Sequence, residues 1–295
     1  MKKRAVDIVV ISDVHLGTYG CRAKELLKYL KSVKPERVIL NGDIIDIWQF
    51  SKRYWPKSHM KVIKHITALI SKGVEVNYIT GNHDEMLRKF VGFQLGTFSI
   101  SNKELLELDG KKTWVFHGDV FDVTMQHSKY IAKLGAVGYD SLILLNSAIN
   151  FFASKFGRGP ISMSKKIKNS VKSAVKFINN FEKIAADIAI ENAYDYVVCG
   201  HIHQPEIKKI ETPEGSVMYL NSGDWVENLT ALEYYDNKWH LFHFKDHETL
   251  EDDTHLDMDD DDEDEDEELL ETKDLFQNLM KEFQTDVKQS KTNVL

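Results

Sequence analysis

Five short segments of this chain constrain its fold more than anything else in it. They are Asp13-Val14-His15, Gly42-Asp43, Gly81-Asn82-His83-Asp84, His117-Gly118-Asp119 and Gly200-His201-Ile202-His203. Each follows a run rich in β-branched or aromatic residues, so each falls where a strand ends and a loop begins. In a parallel sheet the loops at the carboxyl ends of the strands open on one crevice. Asp13, His15, Asp43, Asn82 and His201 are therefore expected to converge although they are far apart in the chain.

The patterning around these segments agrees. Val6 to Ile11, Val38 to Leu40 and Val74 to Thr80 read as buried strands. Arg22 to Val33 and Ser58 to Ser71 carry apolar residues at helical spacing. This β-α-β-α-β order predicts a mostly parallel sheet covered by helices. Glu104 to Leu108 and Lys112 to Phe116 flank an Asp109-Gly110 turn signal and read as a hairpin. Tyr196 to Cys199 reads as a further strand. Short strands near 206–210, 217–220, 229–235 and 239–244 predict a second, mostly antiparallel sheet.

Residues 125–192 differ: they read as long helices broken once, at Gly157-Arg158-Gly159-Pro160. From Ser162 to Asn192 one side carries Ile167, Val171, Ala174, Ile178 and Phe181. A separate stripe carries Lys165, Lys168, Lys172 and Lys176. Residues 251–268 hold fourteen Asp or Glu and no Lys or Arg, so the formal net charge of −8 hides +6 on the rest of the chain. The insert, with ten Lys or Arg against four acids, accounts for that whole excess. The reading is one main domain over 1–250 with the helical insert 125–192, a disordered acidic linker over 251–268, and a tail over 269–295. In the tail, Leu275, Leu279 and Phe283 are spaced for a short helix.

Composition removes whole classes. Hydrophobic residues make up 42% of the 295, enough for a sizeable core and too many for a wholly disordered chain. Cys21 and Cys199 are the only cysteines, which excludes a disulfide framework and fits a reducing, cytoplasmic setting. Cys199 reads as a small buried strand residue. Leu142 to Phe152 is the most apolar run, and at well under the roughly 20 residues of a membrane span it does not read as one. The basic start Met1-Lys2-Lys3-Arg4 leads into a strand containing Asp7 and does not read as an export signal. His59 and His65 have no partner pattern and read as helix-surface residues.

Carboxylate and imidazole without thiolate suit Mn, Fe or Zn. Seven ligands for two ions require one to be shared, and Asp43 is the natural bridge across ions about 3.5–4 Å apart. Any one of the five segments alone is weak: a Gly-Asp usually marks a turn, and His-x-His pairs are common on surfaces. It is their joint order, each at a strand end, that points to a two-metal centre. His83, followed by Asp84, has the makings of a general acid oriented by a carboxylate.

The ordered set Asp-x-His, Gly-Asp, Gly-Asn-His-Asp, His and Gly-His-x-His resembles the calcineurin-like metallophosphoesterases, over residues 6 to about 244. The resemblance implies a four-layer α/β/β/α sandwich and two divalent ions, usually manganese in bacterial members. It assigns Asp13, His15 and His203 to one ion, Asn82, His117 and His201 to the other, and Asp43 to both. It makes His83, with Asp84 beside it, the group that assists the leaving oxygen.

Asn41-Gly42-Asp43-Ile44-Ile45-Asp46-Ile47-Trp48, together with the insert after His117, is similar to the UDP-2,3-diacylglucosamine pyrophosphohydrolases of lipid A synthesis. The resemblance implies a helical lid over two acyl chains, release of UMP, and a peripheral place at the inner face of the cell membrane. It offers Asp122, Arg158, Ser162, Lys165 and Lys168 as substrate contacts. One position departs: the best-known enzymes of that group carry Arg where this chain has His83.

Bland meanings stand beside these. Leu142 to Phe152 reads equally as helix-helix core, and the lysine stripe as an ordinary solvated face. The aromatics of the insert lie at helix-core spacing rather than interleaved with its basic residues, which argues against a nucleic-acid partner. Two other functions remain in view: a metallophosphoesterase acting on a different phosphoester, and a non-catalytic scaffold. Scaffolds on this fold typically lack several ligand positions, whereas all seven are kept here.

Overall fold

The computed structural model describes residues 3–47, 54–121 and 165–246, with the backbone alone over 165–175. Twelve strands in two sheets and three α-helices make up these residues. The first sheet is built on β1 (Arg4–Ile11), β2 (Val33–Asn41), β3 (Glu75–Ile79) and β5 (Phe98–Ser101), all parallel. The two-residue β4 (Gln94–Leu95) closes one edge. On the other side β11 (Thr230–Tyr235) pairs antiparallel with β1, and β12 (Lys238–His243) with β11. The second sheet has the order β6 (Lys103–Leu108), β7 (Lys111–Phe116), β8 (Tyr196–Cys199), β10 (Gly215–Asn221) and β9 (Glu206–Thr212).

Two expectations are corrected here. The strands after residue 196 do not make a sheet of their own. β11 and β12 return to the first sheet, while the β6–β7 hairpin joins the second. The second sheet is also mixed rather than mostly antiparallel, since β7, β8 and β10 run parallel. The placement of β11 has a physical cause. Glu233 is buried, and its carboxylate accepts two bonds from Arg4 of β1 (2.8 and 2.7 Å) and one from the Tyr29 hydroxyl (3.0 Å). A buried carboxylate left without those partners costs several kcal/mol, so the strand that carries it is held beside β1.

The sheets stack face to face. Ile8, Val10, Ile39, Ile79, Leu232 and Tyr234 of the first pack on Leu106, Val115, Val198 and Leu220 of the second. Helices α1 (Ala23–Ser32) and α2 (Lys57–Ser71) lie against β2 and β3 of the first sheet, burying Leu26, Leu30, Val62 and Ile66. Helix α3 (Lys165–Glu191) covers the outer face of the second. Its Ala185, Ala186 and Ala189 let it approach Trp114, Val197 and Tyr219 closely, and Phe181 fills the space beside Phe116 and Phe121. The result is the four-layer α/β/β/α sandwich.

Of the insert, only α3 is described. Asp122, Arg158, Ser162 and the run Leu142 to Phe152 lie outside the described residues, as does the acidic tail. For Lys165 and Lys168 the backbone is helical and the side chains are not described.

Candidate metal centre

The centre forms because β1, β2, β3, β7 and β8 all end at the same edge of the sandwich. Their last residues are Ile11, Asn41, Ile79, Phe116 and Cys199, and the five motifs follow at once. Backbone bonds tie the loops to one another. Asp13 N–H donates to Gly42 O (3.1 Å), His15 N–H to Asp43 O (2.9 Å), and Gly200 N–H to His117 O (2.9 Å).

Five of the seven expected ligands sit in the left-handed region. Asp13, His15, Asp43, His201 and His203 have φ between 52° and 67°. Such conformations cost about 1–3 kcal/mol each for ordinary residues and collect at functional sites. They turn successive side chains inward from loops too short to do so otherwise. The glycines serve a different end at two positions. A Cβ at Gly81 would overlap the Asp43 carboxylate and stand 2.6 Å from Asp43 N. A Cβ at Gly200 would stand 2.6 Å from Asp13 Oδ2. These two are needed for close approach, not for a positive φ.

The ligand atoms gather into three overlapping groups: Asp13, His15 and His203; His15, Asp43 and His83; Asp43, His117 and His201. Within each, the atoms lie within 4.8 Å of one another. Asp43 belongs to two groups and so faces both halves of the centre. Asn82 is half-buried between Gly81 and His83, and the His83 N–H donates to Asp43 Oδ1 (2.8 Å).

The residues fit a pair of cations. Asp13 Oδ1 and His117 Nε2 are buried without a hydrogen-bond partner. Each lies at ion-pair distance from an opposing ligand atom without hydrogen-bond alignment: Asp13 Oδ1 is 3.1 Å from His203 Nε2, and His117 Nε2 is 3.3 Å from Asp43 Oδ2. Buried polar atoms without partners are costly, and divalent ions of the Mn, Fe or Zn type would satisfy this carboxylate–imidazole set.

Two carboxylates that the motif reading left without a role lie behind the histidines of the centre. Asp46 Oδ2 lies 2.9 Å from His83 Nδ1 and 3.8 Å from His15 Nδ1. Burial works against its charge, but the two imidazoles hold it well below the usual carboxylate range. Asp224, wholly buried, lies 4.0 Å from His203 Nδ1, and its other oxygen accepts the N–H groups of Val226 and Glu227 (2.8 and 2.6 Å). Asp46 stood in the sequence three positions after Asp43. That spacing was a signal, because a helical or turn-like step brings such a pair onto one side. For Asp224 there was no comparable signal.

Asp84 is placed differently from the expectation that it orients His83. Its carboxylate accepts from Ile44 N–H (3.0 Å), the Tyr78 hydroxyl (2.7 Å) and Gly81 N–H (2.5 Å), turned into the protein. Burial, reinforced by the Asp43 charge, raises it to about 6. Asp46 is the carboxylate that faces the His83 ring. Burial disfavours charge on His83, yet the bond to Asp46 and the charge of Asp43 outweigh it and hold the imidazole at about 9. His203 stands at about 9 for the same balance, with Asp13 as partner.

His59 also departs from expectation. It is buried, not on the helix surface, and its Nδ1 accepts the Gly17 N–H at 2.9 Å. His65 is half-buried.

Comparison with known proteins bears on the family of the chain. The family model described as calcineurin-like phosphoesterase matches residues 6–205. The UDP-2,3-diacylglucosamine hydrolase of Blochmanniella pennsylvanica is 28% identical over 228 residues, 73% of this chain and 86% of that protein. The enzyme of the same description from Aliivibrio fischeri is 21% identical over 247 residues, 79% of this chain and 97% of that protein. Among solved structures, Yfce, a phosphoesterase from E. coli, is similar with a TM-score of 0.41 and 12% identity, covering 81% of this chain and 93% of that one. The chain belongs to the calcineurin-like phosphoesterase family and is a metal-dependent hydrolase.

Proposed function

We propose that the chain hydrolyses the pyrophosphate of UDP-2,3-diacylglucosamine to UMP and 2,3-diacylglucosamine 1-phosphate. The observation that carries the two-metal chemistry is the sharing of Asp43 between two groups of ligand atoms. The substrate is supported by the relatives, which bear that activity in their descriptions and match over 86% and 97% of their lengths.

In this reading Asp13, His15 and His203 hold one ion, Asn82, His117 and His201 the other, and Asp43 both. Manganese is the ion that we assign. Two such ions, when bound, would supply an activated water for in-line attack and stabilise charge on the phosphoryl oxygens. The rest falls to the chain. With Nδ1 of His83 bonded to Asp46, Nε2 is the atom that delivers a proton to the leaving oxygen, and Asp46 fixes the ring for that transfer. Asp46 and Asp224 stand 3.8 and 4.0 Å behind the Nδ1 atoms of His15 and His203, on the side where carboxylates commonly back ligand imidazoles.

The insert would take the lipid. Asp122, Arg158, Ser162, Lys165 and Lys168 are proposed to hold the head group, and Leu142 to Phe152 the acyl chains. Its lysines add about 1 kcal/mol each of attraction to an anionic leaflet, which suits a peripheral enzyme at the inner face of the membrane. No helix among the described residues is long and apolar enough to cross a membrane.

The test is a manganese-supplemented assay of UMP release from UDP-2,3-diacylglucosamine beside hydrolysis of bis-p-nitrophenyl phosphate, with Asp43→Ala as the blank. Rapid UMP release that the blank lacks supports the reading. Turnover of the generic diester alone sends the function to a second reading, a metallophosphoesterase with another substrate. That reading is favoured by His83, since a histidine cannot clamp a phosphate in the bidentate way an arginine does.

A further inference from the structure

A large aromatic ring stands in solvent just beyond the metal-binding loop. Tyr19 is 59% exposed, yet it is not loose. Its ring lies on that of Tyr54, with centroids 3.9 Å apart and planes 34° from parallel. The edge of His59 meets Tyr54 at 5.8 Å and 88°, and Trp55 meets His59 at 5.6 Å and 79°. His59 in turn accepts the Gly17 N–H, and Trp55 lies over Gly17, about 3.5 Å from where a Cβ would stand. A chain of packed rings thus braces one face of Tyr19 against the loop that carries His15.

The position fits a ligand that begins at the metals. Thr18 N–H and Thr18 Oγ1 both donate to His15 O, at 3.1 and 2.9 Å, closing a turn over residues 15–18. A turn of this kind keeps its end Cα atoms within about 7 Å, and one further residue adds about 3.8 Å. The Tyr19 Cα is therefore within about 11 Å of the His15 Cα. A nucleoside phosphate is long enough to reach across a Cα separation of that size.

We propose that Tyr19, backed by Tyr54, is the stacking platform for the nucleobase of the substrate. This rests on the reading of the substrate as a nucleotide derivative and adds where its base is held. Every base has a π-face, so a platform of this kind selects a base over no base rather than one base over another. Stacking of about 1–3 kcal/mol per base corresponds to roughly five- to 150-fold in affinity.

Calorimetric titration of the manganese-loaded full chain with UMP and with ribose 5-phosphate tests this. The two share the phosphate and ribose, and only UMP has a base. The expected result is that UMP binds at least roughly fivefold tighter. Tyr19→Ala should remove that preference and leave ribose 5-phosphate affinity unchanged, while Tyr19→Phe should keep it. Equal binding of the two probes by the unaltered protein overturns the proposal. So does a Tyr19→Ala protein that loses affinity for both alike, which would mark Tyr19 as a prop for the His15 loop. Failure of the UDP-lipid reading looks different: no UMP is released from the lipid, yet UMP is still preferred to ribose 5-phosphate.

Discussion

Acidification will unfold this protein partly through one histidine outside the metal centre. Burial lowers His59 from the ordinary 6.5 to about 4, because nothing among the described residues offsets the cost of charging its buried ring, and Nδ1 already accepts the Gly17 N–H. The native state thus prefers neutral His59, and below pH 6.5 the unfolded chain binds the proton that the native state refuses. Stability is complete above pH 6.5 and falls as pH drops towards 4. For a shift of this size the loss is about 2 kcal/mol at pH 5 and about 3 kcal/mol below pH 4. Urea unfolding followed by tryptophan fluorescence at pH 8 and pH 5, with chelator present, compares the protein with His59→Gln. Glutamine still offers an acceptor to Gly17 and does not titrate. The titration of the metal ligands is common to both proteins and cancels in the difference. Between the two pH values the unaltered protein should lose about 2 kcal/mol more than the variant, a midpoint shift of roughly 1 M urea. Parallel loss in both proteins refutes the reasoning.

Four further outcomes follow from the centre. Gly81→Ala forces a Cβ into Asp43 and His117, so metal analysis should find the two ions lost from a chain that still folds by circular dichroism. Asp46→Ala frees the His83 ring; turnover should fall by roughly 10²-fold or more while metal analysis still finds both ions, and loss of the ions instead would make Asp46 a ligand. Chelation should abolish hydrolysis and lower the melting temperature, with manganese restoring both. Removal of residues 251–295 should leave metal content unchanged, and a truncated chain that lost its metal would show that the tail supports the centre.

The sequence carried the centre further than it carried the sheets. Strand ends are marked locally, by a β-branched run that stops at Asp, Gly or His, and β8 was placed residue for residue. Sheet membership is not local. TALEYY in β11 looks like any buried strand. Its ladder with β1, and the bonds that Arg4 and Tyr29, more than 200 positions away, donate to Glu233, are long-range contacts that no local pattern marks. β2 begins five residues before Val38 because Pro35, which cannot donate to a ladder, is tolerated near a strand's start. His59 was misplaced because helical spacing gives the face of a residue but not the loop that covers it. Asp84 was adjacent to His83 in sequence, and adjacency suggested a partnership that the turn of the chain gives to Asp46.

The division of the ligands between two sheets also bears on how the protein acquires its metal during synthesis. Asp13, His15, Asp43 and Asn82 emerge from the ribosome early and His117 at mid-length, while His201 and His203 come only when two-thirds of the 295 residues have been made. In the proposed ligand set, both halves of the centre then wait for His201 and His203, and for the pairing of β8 with β7 that brings them in. Early segments offer incomplete sets that hold a cation weakly. On the proposed assignment the pair of ions is held only once β8 has joined β7, when at least two-thirds of the chain has been made.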